Sequence, residues 1–131
     1  MSIIYSVIIP AFNEEAFLPR TLSHLQQSMR KVATPGELIV VDNNSSDQTA
    51  TIAREYGARV VFEAINQISR ARNAGAKVAK GDYLIFLDAD TLLDDKLIQI
   101  ALDTLESGLC SGGGTEVILD NRTEWWSQLL L

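Results

Sequence analysis

Five apolar residues, Tyr83-Leu84-Ile85-Phe86-Leu87, run without interruption into Asp88-Ala89-Asp90. An unbroken run of bulky apolar side chains suits a strand buried on both faces of a parallel sheet; a half-exposed strand would alternate apolar with polar. Side chains alternate along an extended chain, so Asp88 and Asp90, if the strand continues, project to one side at its C-terminal end. Open α/β sheets bind their ligands at that edge. Two carboxylates flanking a small residue suit a hard divalent cation, Mg²⁺ or Mn²⁺, which can in turn bridge to a diphosphate. The alternative is a strand end whose aspartates cap a helix opened by Thr91. The triplet alone leaves both readings open.

The remaining chain supplies the sheet for such a strand. Ser6-Val7-Ile8-Ile9-Pro10 predicts a buried first strand, after which Ala11-Phe12-Asn13 turns the chain. Asn13 is placed to cap a helix with Glu14 and Glu15 in its first turn. Leu18, Leu22, Leu25 and Met29 recur at helical spacing, and Pro19, best tolerated in a first turn, moves the regular start later. Pro35-Gly36 is a turn, and Glu37 to Asp42 a second strand ending in an acid. Asn43 to Asp47 is a polar loop before a helix over Thr49 to Tyr56 that Gly57 stops. Arg59 to Phe62 predicts a third strand, Ile68 to Ala79 a helix closed by Gly81, and Asp94 or Asp95 opens a helix through Leu105 that Gly108 ends. Gly112 to Leu119 predicts a fifth strand. Strands alternating with helices give βαβ units, hence an α/β fold with a mainly parallel sheet flanked by helices. No repeat or linker interrupts it, so residues 1–131 read as one domain.

Composition narrows the function. With 47% hydrophobic and 21% charged residues, the chain can bury a core. A formal net charge of -6 argues against a nucleic-acid binder. The single cysteine, Cys110, excludes an internal disulfide or a zinc cluster and fits a reducing, cytoplasmic setting. Met1 to Pro10 has no basic leader, and no stretch approaches a membrane span. The apolar tail, Trp125-Trp126 and Leu129-Leu130-Leu131, is expected to pack in a core or against a partner chain ahead of a membrane interface. His24 reads as a solvated or packed histidine without catalytic partners. Gly112-Gly113-Gly114 lacks the ending of a phosphate loop, and the Asn121-Arg122-Thr123 sequon carries no weight without a secretory signal.

Three strand ends place polar groups at one edge: Pro10 to Glu14, Asp42 to Asp47, and Asp88 to Asp90. Asp42 can accept hydrogen bonds from a base or ribose, or simply bond nearby backbone amides. Between Ala64 and Gly81 the chain carries Arg70, Arg72, Lys77 and Lys80 and no acid. Ile68, Ala71, Gly75, Val78 and Ala79 mark the inner face of that helix, and Arg72 falls on it. An inward arginine needs a partner, carboxylate or phosphate; the other three cations read as solvated.

Ser6-Val7-Ile8-Ile9-Pro10-Ala11-Phe12-Asn13-Glu14-Glu15 resembles the opening of the family 2 glycosyltransferases. So does the stretch from Glu37 to Thr49. Arg72-Asn73-Ala74-Gly75 follows, then Gly81-Asp82-Tyr83 leading into Asp88-Ala89-Asp90, in the family's order over residues 6 to 91. The resemblance implies a Rossmann-like GT-A nucleotide-sugar-binding domain. It implies inverting, hexosyltransferase-like transfer from a nucleotide-diphosphate donor, a UDP-sugar in the first instance, to the hydroxyl of an acceptor saccharide or lipid. By resemblance, Pro10, Ala11, Asn13 and Glu14 line the nucleoside pocket and Asp42 contacts the base. Arg72 lies beside the base and phosphates, Asp90 ligates Mg²⁺ or Mn²⁺ directly, and Asp88 sits nearer the ribose or a metal-bound water. Membrane association and a homo-oligomer are further expectations for a full-length protein.

The family draws its catalytic base from a later acidic pair, often Glu-Asp, and this sequence has no Glu-Asp dipeptide. Glu116 and Asp120 are weak substitutes. The chain therefore reads as the donor-binding part of a glycosyltransferase with the acceptor-binding part missing; the alternative is a nucleotide-sugar-binding module without turnover. A sugar-nucleotide pyrophosphorylase would need a Gly- and Arg-rich loop where Pro10-Ala11-Phe12-Asn13 stands.

Overall fold

A computed structural model describes residues 2–107 and the backbone of residues 116–119 and 129–130. The expectations for Gly108, Cys110, Gly112 to Gly114, Asp120, the Asn121 sequon, Trp125-Trp126 and Leu131 lie outside the described residues. The chain runs β1 (Tyr5–Ala11), α1 (Leu18–Lys31), β2 (Gly36–Asp42), α2 (Thr49–Glu55), β3 (Arg59–Phe62), α3 (Ile68–Val78), β4 (Tyr83–Leu87), α4 (Asp95–Glu106), β5 (Glu116–Leu119) and β6 (Leu129–Leu130).

These strands form one sheet in the order β3-β2-β1-β4-β5-β6. β1 to β5 pair parallel, with Val7 beside both Leu38 and Ile85, and β6 pairs antiparallel with β5. The chain leaves β1 outward through β2 and β3, then returns to place β4 on the other side of β1. Connections thus diverge between β1 and β4, and such a switch point opens a crevice beyond the carboxyl ends of the strands. The Asp88-Ala89-Asp90 triplet follows one of those two strands and Glu14 follows the other.

Both faces of the sheet are covered, as the unbroken apolar runs require. Val7 and Ile9 join Leu18, Leu22 and Leu25 of α1 and Ile98 and Leu102 of α4 in one core. Ile8, Ile39, Val41 and Phe86 point the other way, onto Ala71 of α3. Each fully buried Leu or Ile contributes about 1.5–3 kcal/mol. On the α3 side the layers approach closely: a Cβ added at Gly75 would lie 2.5 Å from Ile8 Cγ2 and 3.0 Å from Val41 Cγ2. Only a residue without a side chain fits there.

Polar bonds secure the opposite edge of the sheet. Buried Ser6 donates to Glu37 at 2.6 Å, the same carboxylate accepts the Lys80 amide, and the Gly81 amide donates to Ser6 Oγ at 2.9 Å. These bonds fix the entry into β4.

Two local expectations need correction. Asn13 does not cap α1: the helix begins at Leu18 with Phe17 at the cap position and Pro19 in the first turn. Asn13 instead adopts φ +52° in the loop. Ile68 is not an inner-face residue; it opens α3 at the mouth of the crevice and is 54% exposed.

Candidate functional site

The loops leaving β1 and β2 are built against each other. Asn13 and Asn44 both adopt left-handed backbone, at φ +52° and +63°, a conformation asparagine tolerates better than most residues. The bend points successive backbone amides across the gap, where side chains of the facing loop receive them. The amides of Asn13, Glu14 and Glu15 donate to Ser45 Oγ, Thr49 Oγ1 and Asp47 Oδ2 at 3.0, 2.9 and 3.2 Å. In return the amides of Ser46 and Gln48 donate to Asn13 Oδ1 and Glu15 Oε2 at 2.8 and 3.2 Å. Burial acts to raise the Asp47 carboxyl, but hydrogen bonds from Thr49 and the Glu15 amide outweigh it and hold the group below the usual aspartate range. The result is a braced platform beyond the carboxyl ends of β1 and β2.

Asp42 lies beneath it, 8% exposed, its Oδ1 accepting the Ser45 amide at 3.0 Å. That is the local backbone bond anticipated as one of its two readings. The next residue does more to shape the site. Asn43 is buried and its side-chain amide donates to the Glu63 and Ile65 carbonyls at 3.1 and 2.7 Å. The Asn66 side chain donates back to the Asn43 carbonyl at 3.1 Å. These bonds draw the β3–α3 connection across the sheet edge and form one wall of the crevice. Asn43 was legible only as part of a polar loop, and nothing in the local sequence marked Asn66.

The other wall comes from β4. The strand ends at Leu87, and the Thr91 amide donates to the Asp88 carbonyl at 3.0 Å, closing a turn. The aspartates are therefore not aligned by a continuing strand. They still share an orientation: Ala89 is buried, whereas Asp88 and Asp90 are exposed and both face the crevice. Helix capping by the triplet is ruled out, because residues 91–94 are not helical and α4 begins at Asp95 with Asp94 at its cap position.

Pro10, Ala11, Glu14, Asp88 and Asp90 together line a crevice of about 350 Å³, joined by Phe12, Asn43, Asn66, Ile68 and Ala89. Asn13, Asp42 and Arg72 stand outside that lining. Asn13 is engaged in bracing the loops and Asp42 in its own loop. Arg72 does turn inward, and its guanidinium carbon sits 5.9 Å from the centroid of the Phe86 ring, within cation–π range. Its Nε is buried and has no hydrogen-bond partner among the described residues.

Charge in the crevice is strongly of one sign. Desolvation, then the neighbouring charges of Asp90, Asp47 and Asp88, raise the Glu14 carboxyl above the ordinary glutamate value. Like charges held this close favour a cation among them. Oxygen-only donors suit a hard ion such as Mg²⁺ or Mn²⁺, so the residues present fit the expected metal. Among the described residues no group of three or more His, Cys, Asp or Glu side chains forms a complete metal cage; a site with two carboxylates leaves coordination positions for a ligand's own oxygens. His24 has a partner that the sequence did not reveal, Asp94 Oδ1 at 3.0 Å; both residues lie outside the crevice lining.

Residues 6–130 match the family described as Glycosyl transferase family 2. The chain belongs to this family. The family 2 domain is 37% identical over 101 residues to the poly(ribitol-phosphate) beta-N-acetylglucosaminyltransferase TarP of Staphylococcus aureus, covering 72% of this chain and 30% of TarP. It is 43% identical over 98 residues to the 4,4'-diaponeurosporenoate glycosyltransferase of Staphylococcus haemolyticus, covering 70% of this chain and 25% of that protein. The chain thus spans less than a third of the length of either relative. Among solved structures, S. aureus TarS 1-349 in complex with UDP-GlcNAc superposes with a TM-score of 0.65 at 27% identity, over 82% of this chain and 32% of that one. The Pyrobaculum calidifontis mannosyltransferase PcManGT in complex with GDP-Man and Mn²⁺ shares the fold, with a TM-score of 0.69 at 23% identity over 80% of this chain and 33% of that chain. The expected GT-A-like α/β architecture of the family 2 domain is borne out. Among the described residues, no helix is long and apolar enough to cross a membrane.

Proposed function

We propose that this domain is the donor-binding part of an inverting glycosyltransferase that takes a nucleotide-diphosphate sugar, a UDP-sugar first, and transfers the sugar to an acceptor hydroxyl. One observation carries the reading: Pro10 and Ala11 at the end of β1 and Glu14 in the loop after it meet Asp88 and Asp90 after β4 in a single crevice at the switch point of the sheet. Family membership supports it, as does the UDP-GlcNAc bound by TarS.

In this reading Pro10 and Ala11 offer backbone and apolar surface to the nucleoside, while the braced loop of Asn13 holds that surface still. Asp90, with Asp88, would hold Mg²⁺ or Mn²⁺. The ion would offset the charge that develops on the departing nucleoside diphosphate. Arg72 contributes positive charge behind Phe86, on the side of the sheet covered by α3. Transfer forms a bond from the anomeric carbon to the acceptor oxygen as the bond to the diphosphate breaks, and a base must take the acceptor's proton. We assign that base, and the saccharide or lipid acceptor site, to sequence that the relatives carry beyond the matched stretch. Cytoplasmic placement and self-association of a longer protein belong to the same proposal.

Calorimetric titration of the 131-residue chain with UDP, with and without Mn²⁺, tests the reading. Metal-dependent binding that Asp90→Ala abolishes, with the melting temperature kept, is the expected result. Metal-independent binding, or no binding to UDP, GDP or other nucleoside diphosphates, sinks it.

A further inference from the structure

Helix α1 touches both carboxylate-bearing walls of the crevice. Its first amide, that of Leu18, donates to the Glu14 carbonyl at 2.9 Å. One turn on, Thr21 is 2% exposed and its hydroxyl donates to the Ala89 carbonyl at 2.5 Å, in a buried bond spanning 68 residues of sequence. Residues three apart share a helix face, and on that face His24 reaches Asp94 at the far end of the β4–α4 connection.

The Thr21 bond is made to the middle residue of the Asp88-Ala89-Asp90 turn. Within the turn, the Thr91 amide donates to the Asp88 carbonyl at 3.0 Å and the Thr91 hydroxyl donates to Asp90 Oδ1 at 3.5 Å. Neither of these two bonds is made to the peptide between Ala89 and Asp90. A hydroxyl on the Ala89 carbonyl sets that peptide plane, and with it the direction in which Asp90 leaves the backbone. Thr21 itself is buried and cannot reach a ligand. A buried threonine would otherwise be costly against an apolar residue of equal shape unless its hydroxyl is satisfied.

We propose that Thr21 is a positioning residue for the carboxylate pair: its bond to the Ala89 carbonyl orients Asp88 and Asp90 toward a shared divalent cation. The inference rests on the reading of the site given above, that the two aspartates hold a metal with the donor diphosphate. Partners that orient metal ligands typically change metal affinity by about 10–100-fold when removed. Thr21 belongs at the low end of that range, since it acts through backbone.

The test compares UDP affinity in Mn²⁺ and in chelator for the wild type, Thr21→Val, Thr21→Ser and Asp90→Ala. Valine keeps the shape and removes the hydroxyl; serine keeps the hydroxyl. Thr21→Val is expected to weaken UDP binding in Mn²⁺ by about tenfold while metal-free binding stays at the wild-type level, and Thr21→Ser to restore the metal-dependent gain. Should the valine variant not fold, Thr21→Ala takes its place. If Asp90→Ala loses the metal-dependent gain and the hydroxyl-less variant keeps it, Thr21 is structural only and the inference is overturned. Equal losses with and without metal in both Thr21 variants overturn it as well. If the wild type gains nothing from Mn²⁺, the reading of the site has failed and the inference falls with it.

Discussion

The carboxamide oxygen of Asn13 accepts the Ser46 amide at 2.8 Å, while the Asn13 amide donates to Ser45 Oγ at 3.0 Å. This reciprocal pair locks the loop after β1 to the loop after β2, and Asn13 makes it from a left-handed conformation, φ +52°. Asn13→Ala removes the acceptor and places a less tolerant residue at positive φ. It should cost about 1–3 kcal/mol. Asn13→Gly relieves the backbone conformation without restoring the acceptor, so it should fall between alanine and wild type in urea denaturation. An alanine variant as stable as wild type would show that the bracing is dispensable.

A second prediction concerns a residue far from the crevice. Tyr5 is fully buried with its ring over Gly36, and among the described residues its hydroxyl has no hydrogen-bond partner. A buried unsatisfied hydroxyl is a liability. Tyr5→Phe should therefore stabilise the domain by about 1 kcal/mol, raising the melting temperature by about 3–5 °C. Burial also pushes the phenol from its ordinary 10.0 up to about 12. The folded state thus holds the proton more tightly than the unfolded chain, and this contribution is intact below pH 10 and lost as pH rises toward 12. Phenylalanine cannot titrate, so its advantage should widen over that alkaline window. A variant less stable than wild type at neutral pH would mean that the hydroxyl is satisfied.

The contrast between these residues shows what was legible in the sequence. The strands read well because apolar runs are local: Arg59–Phe62 forms β3 as expected, and the Tyr83 run ends at Leu87, immediately before the aspartates. Glu14, Asp88 and Asp90 were legible as site residues because strand ends of a parallel sheet share an edge. The order of strands was not, since it depends on which side of β1 the returning chain takes. Nor were the partners of Asn13, Asn43 and Thr21, whose bonds span 33, 22 and 68 residues. Helical phase placed Arg72 inward, yet Ile68 on the same face is exposed because α3 overhangs the crevice where it begins. Such contacts follow from the packed layers and leave no periodic trace.

The last prediction follows from Glu14. Desolvation and the charges of Asp90, Asp47 and Asp88 hold its carboxyl above the ordinary 4.5. The folded state therefore binds this proton more tightly than the unfolded chain. Its contribution to stability is present below pH 4.5 and lost as pH rises through the folded value. Glu14→Gln keeps the size of the side chain and leaves the backbone amide free to donate to Thr49 Oγ1. Without metal, the glutamine variant should be the more stable protein at pH 7, and its advantage should shrink as pH falls below 4.5. A divalent cation beside Asp88 and Asp90 offsets the same repulsion, so millimolar Mg²⁺ or Mn²⁺ at pH 7 should narrow the gap between the two proteins. Urea titrations at pH 4 and pH 7, with and without metal, measure all four states. A glutamine variant no more stable than wild type at pH 7 without metal would show that solvent already screens Glu14 from the aspartates. A gap that metal leaves unchanged would place the cation elsewhere.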